Sequence, residues 1–157
     1  MNKTSVNKTA VVIGATGLIG SNLITLLDEA EHISQVIVIT RRPIEYVSKK
    51  IDNHVVNFDQ LSEHQDLFAG DILFSCLGTT AKQAGSILAQ RVVDLDYQYT
   101  AAKIAFEQGV SHYLLVSSSG ADQGSLSAYL KMKGELEDKI QSLGFDHISI
   151  LQPSLLL

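Results

Sequence analysis

The sequence predicts an α/β fold, a single doubly wound parallel sheet, on three observations. Short apolar runs alternate with helical patterns along the whole chain, the signature of strand–helix–strand units. The runs are apolar on both sides of the alternation, as strands buried on both faces must be. A glycine-rich turn joins the first run to the first helical pattern.

The elements follow in order. Thr9 to Ile13 forms the first strand, and Ile19, Leu23, Leu26, Leu27 and Ala30 then fall at helical spacing. Gln35 to Thr40 is the second strand, His54 to Phe58 the third and Asp71 to Cys76 the fourth. A long helix is expected over Ala89 to Gln108, with Gly109 ending it as a glycine after the last turn does. His112 to Ser117 is the fifth strand; a helix over Ser127 to Ser142 leads through Gly144 to the sixth, His147 to Leu151. With neither linker nor repeat, the 157 residues make one domain, long enough to bury roughly 70% of the unfolded surface.

Composition narrows the function classes. Charged residues are 18% of the chain, and its 12 Lys and Arg against 17 Asp and Glu give a net charge of −5. No basic run exceeds two residues, so binding of nucleic acid by phosphate neutralisation is not expected. No apolar stretch approaches the ~20 residues of a membrane span. The first nine residues are polar, without the apolar run of a secretory signal, so the Asn-x-Thr sequons at Asn2 and Asn7 carry no weight. With Cys76 as lone cysteine, this reads as a reduced cytoplasmic protein. The five histidines lack metal-ligand spacing, and no metal is expected. The run Leu155-Leu156-Leu157 is an odd terminus, since chain ends are normally polar and solvated. It is expected to lead into further chain that completes a substrate-binding segment.

Gly14 ends the first strand, and Gly17 and Gly20 follow at three-residue steps. A pyrophosphate-binding turn needs glycines where the backbone turns, where it approaches the phosphates and where helix packs on strand. The helix start then offers free N–H groups and a positive dipole end. Set between a β-branched strand and an amphipathic helix, Gly14, Thr16, Gly17, Leu18, Ile19 and Gly20 are expected to bind a dinucleotide, in a Rossmann-type fold.

The second strand indicates which dinucleotide. An NAD site places an acid about 20 residues on, for the ribose 2′-hydroxyl. Here Thr40, Arg41 and Arg42 stand instead, and guanidiniums suit a 2′-phosphate, so NADP(H) is expected over NAD(H). Phe58 and Asp59 are placed to flank the adenine. Cys76, Leu77, Gly78 and Thr79 run along the middle of the cofactor, with Cys76 read as a packed small residue rather than a nucleophile.

The segments GATGLIG, TRRP, CLGTT, LLVSSSGAD, YLKMKGELE and QPSLLL together resemble the atypical short-chain dehydrogenases/reductases, nearest to the Tat-interactive-protein-like oxidoreductases. The resemblance covers essentially the whole chain. It implies NADP(H) binding and a Ser-Tyr-Lys site, which falls on Ser118, Tyr129 and Lys133, with Tyr129, Lys133 and Pro153 also beside the cofactor. Tyr-x-x-x-Lys occurs twice, but only Tyr129–Lys133 follows the fifth strand and its serines; Tyr99–Lys103 is taken as a chance match on a packing helix. Ser117 and Ser119 adjoin Ser118 in the same row. Gln152-Pro153-Ser154 departs from the family's usual Arg-Pro-Gly, which bears on local geometry there.

The resulting expectation is an NADP(H)-dependent oxidoreductase acting on a small carbonyl or alcohol, with tyrosine as acid and base. The alternatives are a non-catalytic cofactor-binding sensor or interaction module, and a flavin or quinone reductase of related fold. Pairing of two copies through the long helices is expected by analogy alone.

Overall fold

A computed structural model describes residues 7–154. The sequons' Asn2 and the closing Leu155 to Leu157, with the expectation attached to them, lie outside the described residues.

Six parallel strands form one sheet in the order β3-β2-β1-β4-β5-β6. They are β1 (Lys8–Ile13), β2 (Ile33–Thr40), β3 (Ile51–Val55), β4 (Ile72–Ser75), β5 (His112–Val116) and β6 (His147–Leu151). The order reverses between β1 and β4, which are paired from Ala10↔Ile72 to Ile13↔Ser75. Ligands of open α/β sheets bind outside the carboxyl ends of strands at such a switch point.

Strand alternation divides the core between two faces. Val11, Ile13, Ile37, Ile39, Leu73, Tyr113 and Leu115 point to one face. It is covered by a kinked 3-10 segment (Phe58–Phe68), α4 (Gln98–Glu107) and α5 (Ala128–Gln141). Ala10, Val12, Val36, Val38 and Phe74 point to the other, where Ile24 and Leu27 of α1 (Leu18–Glu29) pack on them. His147 and Leu151 of the edge strand β6 are exposed.

Two expectations are corrected in detail. β3 runs over Ile51–Val55 rather than His54 to Phe58; its backbone registers with β2 from Val36↔Ile51 to Thr40↔Val55. Phe58 instead opens the 3-10 segment, whose first turn is capped by the Asn57 side chain accepting from the Asp59 amide. The single long helix is three pieces: α3 (Ile87–Arg91), a π-helical stretch (Val92–Tyr97) and α4. Before them, α2 (Ala81–Ala84) is one turn capped by Thr80. A π stretch carries extra residues in its turn, and this one sets Asp94 fully inside the protein.

Candidate functional site

The glycine turn is built by close packing of backbones. Gly14 has φ +82, and a Cβ there would lie 2.3 Å from the Cys76 carbonyl carbon; L side chains rarely adopt that conformation. Gly20 is equally confined, against Gly14 itself. At Gly17, by contrast, the nearest atom to an added Cβ is 3.6 Å away. Gly17 is the N-cap of α1, and no side chain caps that helix start. The first-turn N–H groups of α1 are therefore available to an anion.

Two clefts meet along this turn at the carboxyl ends of the strands, and Leu77 lines both. The larger, of about 610 Å³, has Gly17, Leu18 and Ile19 on one side and Cys76, Leu77 and Gly78 on another. Val116, Ser117, Ser118, Ser119, Tyr129, Lys133, Pro153 and Ser154 close it. The smaller, of about 260 Å³, joins Gly14 and Thr16 to Arg41, Arg42 and Phe58. Gly20 lines neither cleft and serves packing. Arg41 also borders a third recess with Phe58, Asp59 and Tyr97. There the Tyr97 hydroxyl donates to Asp59 Oδ1 at 2.5 Å, and its ring meets Phe58 edge-on with centroids 5.6 Å apart. The accepting Asp59 carboxylate holds the Tyr97 hydroxyl above its usual pKa, with burial adding to this and Arg41 opposing it.

The structure thus brings the expected residues together in two groups, one around the arginines and one around the serines, Tyr129 and Lys133. Tyr129 lies in the first turn of α5, which is capped by Ser127 accepting from the Leu130 amide. Tyr129 is 38% exposed. Lys133, one turn on, is only 3% exposed, with its Nζ 5.5 Å from the Tyr129 ring centroid. Gly134 lets α5 close on the loop after β5, since a Cβ there would lie 2.3 Å from the Gln123 amide nitrogen. Tyr99 and Lys103 do not reach the clefts: Lys103 is exposed, and Tyr99 packs beneath Lys139, whose Nζ lies 4.7 Å from its ring centroid.

Several site features were missed by sequence reasoning. Asp94 Oδ1 lies 2.8 Å from Lys133 Nζ in a buried ion pair. Asp94 Oδ2 accepts from the Thr79 amide at 3.0 Å, which turns that amide away from the cleft. The available signal was an acid set among Val92, Val93 and Leu95 on an apolar helix side. The Ser117 hydroxyl is the buried one of the serine row and has no hydrogen-bond partner, whereas Ser118 is half-buried, with a long 3.4 Å contact to the Ser119 carbonyl. Cys76 is also half-buried, and burial pushes its thiol up to about 11, in keeping with a packed residue.

The residues present fit a dinucleotide. An uncapped helix start faces the larger cleft, the glycine turn admits close backbone approach, exposed guanidiniums border the smaller cleft, and one buried hydroxyl in the wall is uncommitted.

A family of proteins described as NAD(P)H-binding matches residues 14–157. The chain belongs to that family, and within it to the atypical short-chain dehydrogenases/reductases of Tat-interactive-protein-like type. It is 38% identical over 155 residues to the rat protein HTATIP2, covering 96% of this chain and 64% of that protein. It is 35% identical over 151 residues to the protein FMP52, mitochondrial, of Candida albicans, covering 93% of this chain and 66% of the relative. The chain therefore spans just under two thirds of the length of these relatives. Among solved structures, UDP-glucose 4-epimerase of Thermotoga maritima superposes with a TM-score of 0.76 at 15% identity, over 92% of this chain and 54% of that one. The enzyme WbmG of Bordetella bronchiseptica, solved in complex with NAD, gives 0.75 at 14% identity, over 97% and 55%. Both likenesses establish the fold.

The relatives correct one expectation. Several similar proteins are named mitochondrial, which overturns the cytoplasmic assignment. The assignment rested on a lone thiol and on the lack of a secretory signal. Neither separates the cytoplasm from another reducing compartment. Among the described residues no helix is long and apolar enough to cross a membrane.

Proposed function

We propose that this chain is an NADP(H)-dependent oxidoreductase of short-chain dehydrogenase type, acting on a small carbonyl or alcohol. The observation that carries the reading is that Tyr129, Lys133 and the serine row line the same cleft as the uncapped glycine turn. The amides at Leu18 and Ile19 would hold the pyrophosphate over the backbone of Gly17, Arg41 and Arg42 the ribose phosphate, and Phe58 and Asp59 the adenine side. Cys76, Leu77, Gly78, Thr79 and Pro153 would flank the remainder.

When bound, the nicotinamide supplies or accepts a hydride at the substrate carbon. The Tyr129 hydroxyl donates its proton to the carbonyl oxygen as that oxygen gains an electron pair. Lys133 stabilises the phenolate left behind, because a positive charge nearby favours the ionised form. Ser118 holds the substrate oxygen by donating a hydrogen bond. In the oxidising direction the Tyr129 phenolate takes the proton of the alcohol. Proton transfer positioned in this way contributes about 10²–10⁴ in rate.

Replacing Tyr129 with Phe tests this. Loss of carbonyl-dependent NADPH oxidation with NADPH binding retained supports the reading. Unchanged turnover contradicts it and favours a flavin or quinone reductase. NADPH binding by the unsubstituted chain without turnover of any carbonyl would favour the sensor; the convergence of Ser118, Tyr129 and Lys133 on one cleft supports the enzyme instead.

A further inference from the structure

Lys133 does not stand alone behind the cleft. It ends a polar chain that crosses the protein interior among residues otherwise apolar. Asp94 is completely buried, as are Gln98 and Ser75. Ser75 Oγ donates to Gln98 Oε1 at 2.7 Å, and Gln98 Nε2 donates to the Asp94 carbonyl at 2.9 Å. The Asp94 carboxylate accepts from the Thr79 amide on one oxygen and pairs with Lys133 on the other. Gly78, between Thr79 and the cleft-lining Leu77, has Asp94 Oδ1 as its nearest neighbour, 3.6 Å from the position of an added Cβ. The carboxylate therefore lies immediately behind the cleft wall.

A buried ion pair is weak evidence for stability, since removal from water offsets much of the attraction. Its value lies in fixing where a charge sits. An ammonium has three N–H donors, and among the described residues Lys133 is ion-paired with Asp94 alone, so donors remain for the cleft that Lys133 borders. The backbone is arranged to the same end: the π stretch turns Asp94 inward, and Gly134 seats α5 against the loop after β5. We propose that Asp94 is the positioning residue of the site, holding the Lys133 ammonium in place and aimed so that its remaining donors meet the cofactor. The proposal rests on the NADP(H) reading above.

The test is a double-mutant cycle read in NADPH affinity by calorimetry, with thermal unfolding followed alongside. Asp94→Asn and Lys133→Met are each expected to weaken binding by about tenfold or more, the scale of a charge-assisted hydrogen bond. The double variant, which buries no charge at this place, should bind no more weakly than Lys133→Met alone, because Asp94 acts through Lys133. Losses that multiply independently, or an Asp94→Asn affinity within about twofold of the unsubstituted chain, would overturn the proposal. If a single variant does not fold, the unsubstituted protein decides. Its NMR spectrum should hold a slowly exchanging lysine ammonium signal, absent from the double variant and shifted by NADPH. A missing signal, or one indifferent to NADPH, would overturn the proposal equally. Failure of the unsubstituted chain to bind NADPH would overturn the functional reading as well, whereas binding indifferent to Asp94 would overturn this proposal alone.

Discussion

A Cβ placed on Gly20 would lie 2.0 Å from the carbonyl oxygen of Gly14. The third glycine of the turn therefore lets the start of α1 rest directly on the end of β1, whereas a Cβ on Gly17 would make only an ordinary contact, 3.6 Å from the Gly14 carbonyl oxygen. This division assigns two glycines to packing and one to the ligand side. Gly20→Ala should then lower stability by about 3 kcal/mol or more, at the upper end of overpacking costs, with the unfolding midpoint as the measure. Gly17→Ala should leave stability nearly unchanged and weaken dinucleotide binding instead.

Cys76 should be a poor nucleophile in the folded chain. Its thiol is pushed from 9.0 up to about 11 by burial, so thiolate at neutral pH falls roughly 100-fold. Alkylation by iodoacetamide should be slower by about that factor than in the denatured chain. Because the folded value is raised, any stability the neutral thiol contributes is complete below pH 9.0 and is lost as pH rises toward about 11. Rapid alkylation in the native state would contradict the packed environment.

His112 links pH to the β5–β6 edge. Burial, then the neighbouring His147 and Lys8, hold His112 below its ordinary value of 6.5. Its Nε2 lies 2.9 Å from Ser149 Oγ, and its ring meets that of His147 with centroids 6.0 Å apart. A histidine with a lowered folded value disfavours its protonated form in the native state, so its contribution is intact above 6.5 and is lost as pH falls below that. Thermal midpoints measured on both sides of pH 6.5 should therefore drop more on acidification for the unsubstituted chain than for His112→Asn. Parallel curves would contradict the assignment.

The central strands β1 and β2 were legible because they are apolar on both faces, and were placed within two residues; β6 was placed at its observed limits from its alternating apolar Ile148 and Ile150. β3 was displaced because it is an edge strand, with Asp52, Asn53 and His54 along it and few apolar residues to mark it. The buried Phe58 drew the expectation toward the 3-10 segment. The π stretch left no trace in the periodicity, because Val92, Val93 and Leu95 read as one side of a continuous helix; the inward turn of Asp94 went unseen with it. The glycine turn and both Tyr-x-x-x-Lys spacings were legible locally, whereas the choice of Tyr129–Lys133 over Tyr99–Lys103 came from the family resemblance. The ion pair was not, because Asp94 and Lys133 belong to different helices and meet only through the packing of α5.

The central claim is that this chain binds NADP(H) through the uncapped start of α1 and the two arginines after β2. Calorimetric titration with NADPH and with NADH at fixed salt tests it most directly, repeated on Arg41→Ala and Arg42→Ala. Tighter binding of NADPH, falling by about tenfold or more toward the NADH value in the arginine variants, is the predicted result. Equal affinity for both dinucleotides, unmoved by loss of the arginines, would contradict the NADP assignment, and binding of neither would contradict the site itself.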